Sequence, residues 1–352
     1  MPTHYRNACL LAKTAPAATN HEMDPPEAPP APAAPPPESG DAGEPGADGL
    51  STGDGDLTQN LLYSPTERAV EYALGACALL SVLTTLGIAA VLVIESIPFF
   101  AEVSLASFFG EMRWTPEYAS QHFGIWPLLS GTFLITGIAA VLALPLGLMS
   151  AIYISEYAPR SIRVWLKPAL EVLAGVPTVV YGYFALTLVT PLLDTFVPGL
   201  NTYNALSAGL VVGVMIIPMV ASLSEDALQA VPRSIREGGY ALGATKIEVT
   251  GRVVVPGALG GIVAGFILAI SRAIGETMIV TIAAGQQANL TADPTQSVRT
   301  MTAYIAQIAS GDVAQGTVVY DSIFAVGLVL FLITLALNLF ANDFVRRFQE
   351  RY

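Results

Sequence analysis

The stretch EGGYALGATKIEVTGRVVVP, Glu237–Pro256, decides how the rest of the chain is read. It is short, polar and basic, and long apolar segments flank it on both sides. Its pattern predicts two small helices joined by a glycine. Ser234-Ile-Arg-Glu237 and then Thr245-Lys-Ile-Glu248 both have the spacing in which a Ser or Thr caps a helix start and a Glu reaches back to the cap residue. Gly243 falls between them, where a helix would end in the left-handed conformation that glycine adopts without strain. Pro232 breaks the chain before the first helix, and Pro256 stands at the join to the next apolar segment. In a chain that crosses a membrane, a capped helical knob of this kind is a surface offered to a partner.

The flanking composition says that the chain does cross one. Of 352 residues, 53% are hydrophobic and only 12% charged, against roughly 25% charged in an ordinary soluble domain. Apolar stretches long enough to span the hydrocarbon, about 20 residues each, run near Tyr72–Ile94, Trp126–Ile154, Ala169–Leu193, Leu206–Leu223, Gly257–Ala284 and Ile323–Phe340. The fourth is barely long enough. The expectation is an all-α polytopic membrane protein of six spans occupying 65–352, without nucleic-acid partners.

Lysine and arginine set the expected orientation. With the N-terminus inside, Arg160, Arg163, Lys167, Arg233, Arg236, Lys246, Arg252, Arg346, Arg347 and Arg351 all face the cytoplasm, and only Arg113 and Arg299 fall in outer loops. Both termini are then cytoplasmic and the protein lies in the cell membrane.

Residues 1–64 are different in kind. They are acidic and rich in proline, alanine and glycine, and with almost no large apolar side chains they cannot bury enough surface to offset the entropy of ordering. They lack the basic flank and apolar core of a cleavable signal. A disordered cytoplasmic tail is expected, and it carries most of the net charge of −12. Cys9 in this tail and Cys77 in the first span suggest neither a bridge nor a metal site. No cofactor is expected. Asn289-Leu-Thr291 matches a glycosylation sequon and carries little weight.

The fifth apolar stretch contains two charges, Arg272 and Glu276. In one continuous helix they would share a face and could form an ion pair. Each intramembrane charge costs at least about 2.5 kcal/mol on insertion scales, so such residues face protein or water and are candidates for function. The planar guanidinium fork fits an oxyanion, which a lysine would meet only as a point charge. A permanent pair that merely holds the bundle together is the plainer account. Ser271, Thr277 and Thr281 offer hydroxyls nearby, though such groups commonly bond their own helix. Gly257, Gly261 and Gly265 recur every fourth residue and suit close helix approach. Glu171 is expected to pair locally with Lys167. Pro127, Pro145, Pro177 and Pro218 lie within or beside spans and would kink them.

These features together resemble a known family. Glu237, Gly243, Val253, Val255 and Pro256 hold the spacing of the EAA loop of ABC-transporter permeases, with Gly238 and Gly239 in place of two alanines and valines in place of an isoleucine and a leucine. The string Ser271-Arg-Ala-Ile-Gly-Glu-Thr-Met278 is similar to the signature of phosphate-specific transport (Pst) permeases. So are Pro145-Leu-Gly, Ser155-Glu-Tyr-Ala-Pro159, Leu173–Gly182 and Ser222–Leu228, and the detail resembles the C-type subunit. The resemblance covers about 65–352 and leaves the tail unexplained. It implies a six-helix permease of the MetI-like fold, paired with an A-type homologue. A cytoplasmic dimer of ATP-binding subunits would dock on the loop at about 232–256, through Glu237, Gly243 and Pro256. An extracytoplasmic phosphate-binding protein would deliver inorganic phosphate, and Arg272 and Glu276 would belong to the substrate path.

The chain lacks the phosphate-binding loop pattern G-x-x-x-x-G-K-[ST], so ATP hydrolysis is expected on a separate subunit and the chain is a transport component rather than an enzyme. Three other readings stay open: a permease for sulfate, molybdate or another oxyanion, a phosphate-signalling membrane scaffold that transports little, and an ion-coupled carrier. The last would predict inverted repeats, which the sequence does not show.

Overall fold

The computed structural model describes residues 65–311 and 313–348. The expected tail 1–64, with Cys9, and the last residues, with Arg351, lie outside them. Helices follow one another along the chain: α1 (Pro65–Glu102), α2 (Leu105–Gly110), α3 (Trp126–Ile152), α4 (Arg160–Gly175), α5 (Thr178–Phe184), α6 (Thr190–Asp194) and α7 (Ala205–Ala230). The series continues with α8 (Arg233–Ala241), α9 (Lys246–Val249), α10 (Val255–Gly257), α11 (Leu259–Ile274), α12 (Met278–Ala283), α13 (Met301–Ser310) and α14 (Val318–Phe348). Wider turns at Tyr153–Tyr157, Ala185–Val189 and Thr250–Val254 extend α3, join α5 to α6 and join α9 to α10.

Four of these elements are long and apolar enough to cross a membrane: Arg68–Glu102, Trp126–Tyr157, Ala205–Ala230 and Val318–Arg346. Two more spans arise if each bent pair counts as one, Arg160–Gly175 with Thr178–Asp194 at 87°, and Lys246–Gly257 with Leu259–Ile274 at 67°. The described residues thus hold four spans, or up to six if both bent pairs cross. Pro177 stands at the first break, as the residue before α5, where its fixed φ suits a helix start. Pro127 likewise opens α3 rather than kinking it.

The fourth stretch, barely long enough in sequence, is a 26-residue helix and the most buried of the four long spans, at 61%. Its small residues explain why it sits centrally: Gly209 lies against Ile138, and Gly213 against Leu142 and Ala139 of α3. The glycine row of α11 acts the same way. A Cβ on Gly261 would come within 2.6 Å of Ala227 and one on Gly265 within 2.9 Å of Leu223, so both glycines admit α7 at close range. α1 is the opposite case, since none of its membrane-length window is buried.

The core has three parts. The central one joins α3, α5, α7 and α12 through Ile135, Tyr181, Val212, Ile216 and Ile279. A second closes the end of the bundle where α3 begins, and it is aromatic: Phe99, Phe108, Trp114, Phe123 and Tyr304 meet edge to face, with Trp114 and Tyr304 ring centres 4.9 Å apart. The third lies at the opposite end. There Leu228, Val231, Val249, Val254 and Ile262 seat the α8–α9 hairpin on α7 and α11.

Candidate functional site

The α8–α9 hairpin is built as the sequence suggests in its second half and differently in its first. Gly243 takes φ +81°, the left-handed conformation that ends α8. The Thr245–Glu248 capping box is complete, with Glu248 Oε2 accepting from the Thr245 amide at 2.9 Å and from its hydroxyl at 2.8 Å. The Ser234–Glu237 box does not form. Pro232 is the residue that starts α8, with no side-chain cap, and this moves the helix start ahead of Ser234. Glu237 is exposed instead. The hairpin also presents large apolar groups to solvent: Leu242 is 90% exposed and Ile247 72%.

Two contacts tie the hairpin to the turn after α3. Arg236 Nη1 lies 2.9 Å from Glu156 Oε1, with the carboxylate side chain 7% exposed. Lys246 Nζ sits 4.8 Å above the centre of the Tyr157 ring, within range of a cation–π attraction. Arg236 also donates to Leu228 O at the end of α7.

Further into the bundle, α4, α7 and α11 line a half-open cavity of about 320 Å³. Arg272 reaches it from α11, Lys167 and Glu171 from α4, and Ser222 and Glu225 from α7, with Met215, Pro218 and Met219 as the apolar wall. Among the described residues the Arg272 side chain takes part in no ion pair or hydrogen bond. The expected Arg272–Glu276 pair is absent because the helix stops. α11 ends at Ile274, and Glu276 falls in the break before α12. Its carboxylate is drawn to the free amides at the start of α12, accepting from Met278 N at 3.2 Å and Ile279 N at 3.3 Å. Its own carbonyl accepts from the Thr302 hydroxyl at 2.7 Å. Arg272 and Glu276 thus flank one break and point to different tasks.

The hydroxyls near Arg272 are engaged elsewhere. Thr277 and Thr281 bond backbone carbonyls, and Ser271 faces Asn338 of α14 at 3.5 Å. Lys167 does not pair with Glu171. It lies 3.0 Å from Glu225, whose side chain is 4% exposed. A buried carboxylate competes better for a cation than one that water already solvates. Among the described residues there is no cluster of His, Cys, Asp or Glu fit to hold a metal.

The family model described as the binding-protein-dependent transport system inner membrane component matches residues 143–352. The chain belongs to that family. The permease is 31% identical over 285 residues to the probable ABC transporter permease protein YqgH of Bacillus subtilis, covering 79% of this chain and 92% of the relative. It is 33% identical over 264 residues to the phosphate transport system permease protein PstC of Mesorhizobium japonicum, covering 70% of this chain and 80% of that one. Within its family the permease is therefore PstC-like, a multi-pass transport component and not an enzyme. In fold it resembles a chain of the bacterial alginate ABC transporter solved in complex with its pentasaccharide-bound periplasmic protein. That match has TM-score 0.57 and 15% identity, and covers 82% of this chain and 99% of that chain.

Sequence reasoning singled out Arg272 and the hairpin but missed three residues of the permease that the fold makes prominent. Glu225 and Glu156 were given no role of their own, yet both are paired, with side chains 4% and 7% exposed. Arg299 read as an outer-loop cation. It is 5% exposed, 2.9 Å from Glu117 and stacked 4.9 Å from the Tyr304 ring centre. The family segments Ser155–Pro159 and Ser222–Leu228 gave the signal for two of them, since they contain Glu156 and Glu225.

Proposed function

We propose that this chain is the C-type permease subunit of an ATP-driven importer of inorganic phosphate, forming half of the translocation path and working by alternating access. The observation that carries this reading is Arg272: its side chain has no partner among the described residues and faces a half-open cavity lined by charged and apolar groups, in a permease similar to PstC. A guanidinium so placed offers an oxyanion several donors in a fixed fork. Glu276 shares the path in a different way, keeping α12 attached at the break that positions Arg272 and adding a negative charge near it.

The rest of the assembly follows from the surfaces left open. The α8–α9 hairpin, with exposed Leu242 and Ile247 beside Glu237, is the docking knob for a cytoplasmic dimer of ATP-binding subunits. The bare apolar length of α1 suits an A-type permease homologue and the surrounding lipid. An extracytoplasmic phosphate-binding protein would load the opposite end. By the Lys/Arg rule the hairpin end and both termini would be cytoplasmic.

The deciding experiment is ATP-dependent uptake of radiolabelled phosphate by the assembled complex, comparing the native chain with Arg272→Gln, with assembly checked in the same preparation. Uptake lost with assembly retained supports the reading. Native uptake by the variant makes Arg272 a structural residue and sinks the site assignment. A native complex that moves sulfate or molybdate but no phosphate sinks the substrate, and one that moves none of these favours a signalling scaffold.

A further inference from the structure

The cavity of Arg272 contains a second cation, Lys167, paired with a buried carboxylate. Lys167 Nζ lies 3.0 Å from Glu225 Oε1, with the lysine side chain 43% exposed and the glutamate 4%. Both line the same cavity as Arg272, as does Glu171. Glu225 does not depend on the lysine alone, because the same Oε1 accepts a hydrogen bond from Gln229 Nε2 at 2.6 Å. If the ammonium swings away, the buried carboxylate keeps a donor. The lysine, on a flexible four-carbon stem, is free to follow another anion.

The helix that carries Lys167 is lightly held. No residue of α4 is buried, and α4 meets α5 at a bend of 87°. Its start is tied to the turn after α3, where Arg163 Nε donates to Ile154 O at 3.0 Å and its Nη2 to Ser155 O at 2.8 Å. The next residue of that turn, Glu156, holds Arg236 of the docking hairpin at 2.9 Å. Continuous contacts therefore run from the hairpin to the helix bearing Lys167.

We propose that Lys167 is a second oxyanion ligand of the path, held by Glu225 at rest and transferred to the phosphate when α4 moves with the docking hairpin. This rests on the phosphate-permease reading of Arg272. An anion at Arg272 adds negative charge to a cavity that Glu171 and Glu225 already face, and Lys167 is the cation on the same wall that can offset it. A fixed tie between α4 and α7 would be the alternative use of the same pair, and charge exchange separates the two.

The experiment compares phosphate uptake by the assembled complex in proteoliposomes for the native chain, Arg272→Gln, Lys167→Met, Lys167→Arg and the exchanged Lys167→Glu/Glu225→Lys. Assembly of each is read by size-exclusion chromatography. The expected result is uptake lowered about tenfold or more by Lys167→Met, the scale of one charge-assisted hydrogen bond. The exchanged pair should stay equally low and Lys167→Arg close to native. Restoration by the exchanged pair, or native uptake by Lys167→Met, overturns the proposal. Where the exchanged pair does not assemble, Glu225→Gln substitutes. By freeing the lysine it should lower the phosphate concentration for half-maximal uptake, whereas a fixed tie predicts the same loss as Lys167→Met. Native uptake by Arg272→Gln defeats the underlying site assignment. An inactive Arg272→Gln alongside a restored exchanged pair defeats only the role of Lys167.

Discussion

Glu156, in the turn that ends α3, and Arg236, on the first helix of the docking hairpin, meet at 2.9 Å with only 7% and 19% of their side chains exposed. Their pairing joins the hairpin proposed to dock the ATP-binding subunits to two membrane elements at once, since the same turn anchors α4 through Arg163.

Removing one member of a buried pair leaves an uncompensated charge and costs about 3–5 kcal/mol, less here because Arg236 retains some water. Glu156→Leu should therefore lower the unfolding temperature of the purified complex. It should also leave ATP hydrolysis measurable while phosphate uptake falls, because the hairpin no longer moves α4 with it. Exchanging the two charges should recover part of both. A Glu156→Leu complex with native uptake per ATP hydrolysed would show that the hairpin transmits its motion by another route.

How much of this was legible in sequence depends on what each residue answers to. Gly243 and the Thr245–Glu248 box obey local rules, since a turn needs a positive φ and a helix start needs an acceptor, and both were readable. Ser234 followed the same rule and failed because Pro232, also local, starts the helix earlier. The apolar stretches were legible from hydropathy, but the break between α11 and α12 was not. A hydropathy reading treats the stretch as one span and conceals the point where Gly275 ends the helix and the Glu276 carboxylate takes the first amides of the next. The pairs Lys167–Glu225 and Glu156–Arg236 join residues distant in sequence, so only the fold could reveal them.

Glu276 combines a cap and a charge, and two substitutions separate them. Glu276→Ala leaves the Met278 and Ile279 amides without an acceptor, at a cost of about 1 kcal/mol, typical of a lost cap. Glu276→Gln keeps an acceptor oxygen and should unfold at nearly the native temperature. We expect Glu276→Gln to lose phosphate uptake at near-native stability, since the negative charge beside Arg272 is gone while the break is intact. Full uptake by Glu276→Gln would restrict the residue to its capping role, and equal stability of the two variants would mean that the cap holds little.

At the opposite end, Arg299 and Glu117 form a lopsided pair, the arginine side chain 6% exposed and the glutamate 43%. Arg299 also donates to Gln307 and lies over the Tyr304 ring, 4.9 Å from its centre, while its Nε has no acceptor. Losing the arginine returns Glu117 to water, so the remaining charge stays solvated. Losing the glutamate strands a cation that cannot shed its proton in a site closed to water. Glu117→Leu should therefore destabilise more than Arg299→Met, by about 3 kcal/mol against about 1 kcal/mol, the first being the low end for an uncompensated buried charge. Thermal unfolding of the two variants in the same detergent checks the order. If Arg299→Met is the worse of the two, the aromatic stack with Tyr304 and the bond to Gln307 hold this end together more than the balance of charge does.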